Sequence, residues 1–495
     1  MSSREKIDRR LNPVLVKEVR QAVRGKFFRF SFLLMLTVAS VVSALLLTNL
    51  DPHGSEMPSD SGAIYFFGMF VVFAASAMVL VPLQANRSMA AERDDRTFDA
   101  LLISGLRPAQ IIQGKWLASG MLLLLFTSTL APFLVIGFTL FGMDLLSGIL
   151  LIVFTCAFAM TLSLFSIFLA CSFKNKAIQS ISLAFNALAC VGAVIFWTTF
   201  ASFTLLSPFG TIPASDLLIT TILAFITVNL ANLWGYGLTI SLITHPEENR
   251  LFRVRIANLL IALFSVATSI TIWINTGNSE DVAGTVMFSY FALLVLNIPL
   301  LTESDHLGVR CRHQIHQGRW RKPLSWMFLP GGATGARLFI FQLLLVSLPL
   351  IIPHTEWFGK GTRVNNDGIG SCLAVLTLFP FMVLLPAAMS ARPSNSPMQR
   401  NFFRFLIPAG MPLLALISVL IGVLADDRQM SMGKTILNPI WFIGNNWNTM
   451  RDEAGYIFWG ALSMLALILH LTAVSRYRSQ VKSFKVPAVP KASQD

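Results

Sequence analysis

Two groups of residues are of types that could bind a nucleotide or a metal ion. Gly433, Lys434 and Thr435 form a GKT triplet, but position 428, where a phosphate-binding loop has its first glycine, is Arg. The second group has the residue types of metal ligands: His306, Cys311, His313 and His316. Its spacing matches no standard site, and the surrounding arginines would repel a divalent cation. We therefore expect no nucleotide site, metal or cofactor, and interpret the second group as a solvated basic loop.

A third group lies in the apolar run Leu217–Thr244, where Asn229, Asn232 and Tyr236 share one face of a predicted helix. One interpretation is a polar stripe that faces a substrate path. The other is contact between helices, in which each such hydrogen bond contributes about 0.6 kcal/mol. We favour helix contact.

The composition predicts an all-α membrane protein. Of the 495 residues 54% are hydrophobic and only 13% are charged, whereas about 25% charged residues is ordinary for a soluble domain. A spanning helix needs about 20 mostly apolar residues, and we find twelve such runs. They are Phe30–Leu50, Gly62–Leu83, Trp116–Phe141, Leu145–Cys171, Gln179–Leu205, Leu217–Thr244, Ile256–Ile274, Gly284–Thr302, Ala336–Pro353, Ile369–Ser390, Phe405–Ala425 and Ala454–Arg476. We expect a polytopic bundle of about 12 transmembrane helices in a cell membrane.

The Lys and Arg residues between these runs predict the orientation. Alternate segments between the runs, with Arg337 and Arg476 at the ends of adjoining runs, hold 33 of the 38 basic residues, and such an excess marks the cytoplasmic side. Both termini are therefore predicted to be cytoplasmic. The net charge of +13 follows from these flanking residues, so we expect contact with the lipid bilayer and no nucleic acid.

The N-terminal segment, residues 1–29, contains a predicted amphipathic helix. Asn12 is a suitable cap and Pro13 suits the first helical position. One face carries Leu15, Val19, Ala22 and Val23, and the opposite face carries Lys17, Arg20 and Arg24. We expect this helix to lie in the membrane interface before the first span.

A second predicted helix lies in the predicted cytoplasmic loop 84–115. Asp95 can cap a short helix that ends at Gly105, and Pro108 can start a further turn. The apolar face of this short helix carries Phe98, Leu101 and Leu102, and charged residues such as Glu92 surround it. A small apolar face with a charged rim suits docking into the groove of a partner protein. The acidic residues disfavour the alternative, contact with anionic headgroups.

These two elements resemble those of the ABC-2 type transporter permeases, the membrane subunits of bacterial ABC exporters. The similar residues are Asn12-Pro13, Leu15, Lys17-Glu18, Glu92-Arg93, Thr97, Leu101-Leu102, Leu106, Pro108, Gly114-Lys115 and, more weakly, the FLPGG segment Phe328–Gly332. The resemblance implies that loop 84–115 is a coupling element that contacts a separate ATP-binding subunit. We accordingly expect Glu92, Phe98, Leu101, Leu102 and Pro108 to dock this subunit. Arg96 departs from the family pattern, which often has Gly before the Thr.

The chain further divides into two predicted halves of six spans each, residues 30–249 and 250–476, followed by a basic tail, 477–495. In each half the long cytoplasmic loop follows the second span, at 84–115 and at 303–335. Loops of nearly equal length at equivalent places are typical of an internal duplication. We hypothesise a pseudo-dimer within one chain, and a homodimer if the halves are not a repeat.

The function predicted from the sequence is thus that of an ABC permease subunit, not itself an enzyme, in the bacterial inner membrane. An ion-coupled secondary transporter is the alternative. It is disfavoured because the middles of the spans carry essentially no ionisable residue. A polytopic membrane glycosyltransferase is less favoured still, because the acidic residues of the extracytoplasmic loops are scattered.

Overall fold

A computed structural model gives the fold of the chain. It describes residues 12–49, 61–94, 106–140, 145–173, 176–206, 214–245, 248–305, 308, 311, 323–354, 369–390, 399, 402, 406–407 and 453–482. The chain divides into two compact units, Met1–Thr244 and His245–Asp495. All regular elements in the described ranges are helical, as the composition predicts.

The first unit contains one short amphipathic helix and a series of long apolar helices. The helices are α1 (Pro13–Arg24), α2 (Lys26–Asn49), α3 (Ser61–Ala75), α4 (Val81–Asp94), α5 (Pro108–Thr139), α6 (Leu145–Ser172), α7 (Lys176–Leu206) and α8 (Ala214–Ile243). A π-helical turn, Ser76–Leu80, joins α3 to α4. The two therefore form one continuous span, Gly62–Arg93.

The core of the first unit lies around α3. Tyr65, Phe66 and Phe70 are completely buried there. Gly137 of α5 permits the close approach of α3, because a Cβ at this position would lie 2.9 Å from the Cβ of Phe66. By contrast, α8 leaves many large apolar side chains exposed, as expected of a helix that faces lipid.

The second unit is built from helices of similar composition. They are α9 (Phe252–Thr276), α10 (Ser279–Leu301), α11 (Gly332–Ser347), α12 (Ile369–Phe379), α13 (Leu385–Ser390) and α14 (Glu453–Lys482). A 3-10 turn, Pro323–Phe328, precedes α11, another, Leu348–His354, follows it, and a π-helical turn, Pro380–Leu384, joins α12 to α13.

Buried amides connect three helices of the second unit. Asn258 of α9 donates to the side-chain oxygen of Asn297 on α10 at 3.0 Å, and Asn297 donates to Gln342 of α11 at 2.9 Å. All three residues are fully buried. Hydrogen bonds of this kind hold spans together where lipid offers no competing partner.

Eleven described helices are long and apolar enough to cross a membrane, and they coincide with eleven of the twelve predicted runs. The chain is therefore a multi-pass helical membrane protein. The remaining run, Phe405–Ala425, lies almost entirely outside the described residues. The orientation and the internal duplication stay predictions.

Candidate functional site

The N-terminal helix α1 packs against the start of α5. The side chain of Asn12 accepts a hydrogen bond from the backbone N–H of Val14 at 3.0 Å, as predicted for the cap, and donates to the carbonyl of Gln110 at 2.6 Å. At Gly114 a Cβ would lie 2.7 Å from the Cβ of Val14. Glycine at this position therefore lets the backbones of α1 and α5 approach closely.

Charged side chains complete this contact. The ammonium group of Lys115 on α5 lies 2.7 Å from Glu18 Oε1 of α1 and 2.9 Å from Glu92 Oε2 of α4. Lys17 Nζ of α1 lies 2.9 Å from the other oxygen of Glu92. Ser88 of α4 donates to Glu18 and accepts from Lys115. We call Lys17, Glu18, Ser88, Glu92 and Lys115 the α1 ion cluster.

The α1 ion cluster balances two ammonium groups against two carboxylates. The side chain of Lys115 is 1% exposed, whereas that of Lys17 is 49% exposed. A buried charge is costly unless it is paired and hydrogen-bonded, and Lys115 meets that condition with three oxygen partners. The cluster joins α1 to both ends of loop 84–115, since Glu92 lies near its beginning and Lys115 at its end.

The side chains that α1 buries within the protein are not the same set as its predicted apolar face. Leu15 and Ala22 of that face are buried, Val23 is exposed, and Glu18 is buried. The buried face of α1 is therefore rotated toward Val14 and Glu18. The physical reason is Lys115, which supplies a buried partner for the carboxylate of Glu18 from a position 97 residues away.

The predicted docking residues are only partly within the described chain. Glu92 is buried in the α1 ion cluster, so its carboxylate is used inside the protein. Pro108 occupies the first turn of α5. Phe98, Leu101 and Leu102, together with the caps Asp95 and Gly105, lie outside the described residues.

The two described ends of loop 84–115 are each fixed to a helix. Arg93 donates to the carbonyls of Ala170 and Phe173 at 3.0 and 2.9 Å, at the C-terminal end of α6. At the other end the backbone N–H of Arg107 donates to the side chain of Gln110 at 3.0 Å. The described residues of loop 84–115 therefore belong to a junction of α1, α4, α5 and α6.

The three polar residues of α8 do not share one environment. Asn229 is exposed and donates to the carbonyl of Phe225 in its own helix at 2.8 Å. Asn232 is buried. The hydroxyl of Tyr236 donates to the carbonyl of Ala109 on α5 at 3.1 Å, a contact between helices of the kind we favoured for this stripe.

A second buried ion pair lies in the other unit. Arg255 of α9 is completely buried, and its Nη2 lies 2.8 Å from Glu303 Oε2. The guanidinium also donates to the carbonyls of Met327 and Gly331 at 2.7 and 3.0 Å. Arg255 thereby fixes the FLPGG segment against the ends of α9 and α10.

Asp305 adds a further anchor to this segment. Its carboxylate accepts a hydrogen bond from the backbone N–H of Ala333 at 3.0 Å. Burial raises the pKa of Asp305 to about 6, an effect that the hydrogen bond from Ala333 opposes and the nearby carboxylate of Glu303 reinforces. Asp305 therefore changes its charge close to neutral pH.

Of the residues first considered for metal or nucleotide binding, only Cys311 lies among the described residues. Cys311 is buried, whereas His306, His313, His316 and the GKT triplet lie outside the described residues. Within the described part of the chain no three His, Cys, Asp or Glu residues converge on one point.

Comparison of the chain with protein-family models, with curated protein sequences and with solved structures finds no significant match in any of the three.

Sequence reasoning missed the roles of Lys115 and Arg255. Both were counted among the basic residues that flank spans, yet both are completely or almost completely buried. Only Glu18 gave an indication, because a carboxylate beside the apolar face of an amphipathic helix needs a partner.

Proposed function

We propose that this chain is the membrane-spanning subunit of an ABC-2 type transporter in a bacterial inner membrane. A separate subunit would bind and hydrolyse ATP, and this chain would move the substrate by alternating between conformations. Loop 84–115 would be the site where the ATP-binding subunit docks.

The observation that carries the proposal is the α1 ion cluster. Glu92 and Lys115 lie near the two ends of the predicted docking loop, and both form ion pairs with α1. A force applied to the loop by a partner is therefore transmitted to α1, α4 and α5 together. A coupling element needs this rigidity, because packed helices pass on discrete rearrangements.

The test is an affinity purification of the tagged chain from native membranes, with mass spectrometry of the proteins that co-purify. We expect a stoichiometric soluble subunit with nucleotide-binding motifs. The double variant Leu101→Asp/Leu102→Asp should insert normally, lose this subunit and lose ATP-dependent transport, because charge on the apolar face prevents docking.

The matched control is Ile436→Asp/Leu437→Asp, an adjacent apolar pair in the connection 426–453, which is predicted to lie on the other side of the membrane from loop 84–115. It should retain both the subunit and transport. A preparation that transports without any ATP-binding subunit, and only under a proton or sodium gradient, would overturn the proposal in favour of the ion-coupled carrier.

A further inference from the structure

A groove of about 420 Å³ lies between α1, the first turn of α2 and α4. Its volume lies within the range of small-ligand sites, about 300–1,000 Å³. Three cations line it, Lys17, Lys26 and Arg87, and all three are exposed to solvent. The amides of Gln21 and Gln84 also line the groove and can donate hydrogen bonds.

The charge of the groove is positive. Its two carboxylates, Glu18 and Glu92, are already paired with Lys115 at 2.7 and 2.9 Å. No carboxylate among the described residues forms an ion pair with Lys26 or Arg87. Within the described part of the chain these two cations are therefore not neutralised, and the groove with Lys115 has two more cations than carboxylates.

Arg87 is also held in place. Its guanidinium lies over the ring of Phe27, 4.1 Å from the ring centre. This cation–π contact restricts the side chain to the groove without neutralising its charge. An arginine so placed can bind a phosphate through two parallel hydrogen bonds.

The groove lies beside the ends of two candidate spans. The α2 span begins at Lys26, and the span that contains α4 ends at Arg93. Beyond Phe27 the same face of α2 carries Phe30, Leu33 and Leu34, at successive turns. Their exposed fractions are 67%, 62% and 48%. An apolar surface thus runs from the cationic groove into the membrane region.

From this juxtaposition we propose that the groove binds the headgroup of one anionic phospholipid. Lys26 and Arg87 bind its phosphate, and its acyl chains lie along Phe30, Leu33 and Leu34. A free phosphate would share the ionic contacts but not the apolar ones. A zwitterionic lipid would share the apolar contacts but not the net charge. This site does not depend on the proposed ATP-binding subunit.

The test uses the purified full-length chain and native mass spectrometry with three probes: phosphatidylglycerol, phosphatidylcholine and inorganic phosphate. We expect one phosphatidylglycerol to be retained per chain. Lys26→Gln/Arg87→Gln should weaken its binding by about thirtyfold, because loss of one basic residue beside an anionic lipid weakens binding by about fivefold and two are removed. The matched control, Arg20→Gln/Arg24→Gln, removes two exposed cations of α1 that do not line the groove, and it should retain the lipid.

A charge-preserving variant, Lys26→Arg/Arg87→Lys, should bind the lipid more tightly than Lys26→Gln/Arg87→Gln but less tightly than the wild type, because lysine keeps the charge of Arg87 without its paired hydrogen bonds. This variant separates loss of binding from loss of folding. The proposal would be overturned by equal weakening in the two Gln variants, since attraction would then be diffuse. Binding of phosphatidylcholine as tight as that of phosphatidylglycerol would overturn it too. So would competition by inorganic phosphate at concentrations similar to those of the lipid, since a free anion would then be the ligand.

Discussion

Lys115 is the residue on which the polar contacts of α1 depend most. Its side chain is 1% exposed and forms ion pairs with both Glu18 and Glu92, whereas the other cation of the cluster, Lys17, is half exposed and forms an ion pair with Glu92. Exposed ion pairs contribute little to stability, while loss of one member of a buried pair leaves an uncompensated charge.

We therefore expect Lys115→Ala to lower the free energy of unfolding by about 3–5 kcal/mol, because it leaves two buried carboxylates without their shared partner. Lys17→Ala should lower it by less than about 1 kcal/mol. The melting temperatures of the two variants in detergent provide the measurement. Equal, small effects would show that Glu18 and Glu92 are hydrated when Lys115 is absent.

The raised pKa of Asp305 predicts that the stability of the protein depends on pH. Because burial raises the pKa of Asp305 to about 6, the folded protein binds this proton more tightly than the unfolded chain does. The stabilisation of the folded state that results from this tighter proton binding is fully present below the pKa of Asp305 in the unfolded chain. It is lost as pH rises through about 6.

The stability of the wild-type protein relative to Asp305→Asn should accordingly decrease between pH 5 and pH 7.5, by at most about 1.4 kcal/mol per pH unit. The variant keeps an oxygen that can accept from Ala333, so it serves as the reference that cannot ionise. Melting temperatures of both proteins across this pH window test the prediction. If the melting temperatures of the two proteins changed in parallel with pH, Asp305 would not titrate between pH 5 and pH 7.5.

At the scale of elements, the contact between α1 and α5 depends on the absence of a side chain at Gly114. A Cβ there would lie 2.7 Å from Val14 Cβ and 3.1 Å from the backbone nitrogen of Leu15, so backbone would have to move. In the same helix a Cβ at Gly120 would meet only the end of the Met160 side chain, at 3.3 Å.

Gly114→Ala should therefore displace α1 and increase hydrogen exchange of its amides, whereas Gly120→Ala should leave exchange in α1 unchanged. Alanine otherwise favours the helix by about 1 kcal/mol over glycine, so any loss of protection is due to the contact. Unchanged exchange in Gly114→Ala would mean that α1 does not need this close approach.

The positions of the spans can be predicted from the sequence, whereas the buried ion pairs cannot. Run length predicts the spans because the thickness of the membrane determines how many apolar residues a helix needs. The buried face of α1 and the burial of Arg255 depend on partners far along the chain, Lys115 and Glu303. Local periodicity contains no information about such pairs, so it did not show that Glu18 is buried.

For the whole molecule, the number of spans determines the side of the membrane on which each segment lies. Among the described residues seven candidate spans follow Arg20 up to the span Phe252–Thr276, at whose end Asn275 lies, and four more follow, up to the span Tyr456–Arg476. The predicted run Phe405–Ala425 would make the total twelve. An even total places both termini on one side, and an odd total places them on opposite sides.

We expect twelve spans, because the basic residues beside the last span then lie with those of the N-terminal segment, as the positive-inside rule requires. Single cysteines at Arg20, Asn275 and Ser479, in a background without the native cysteines, test this with a membrane-impermeant thiol reagent. Asn275→Cys should be labelled in intact cells, and Arg20→Cys and Ser479→Cys only after permeabilisation. Labelling of Ser479→Cys from outside would reduce the total to eleven, and the two predicted six-span halves could not then exist.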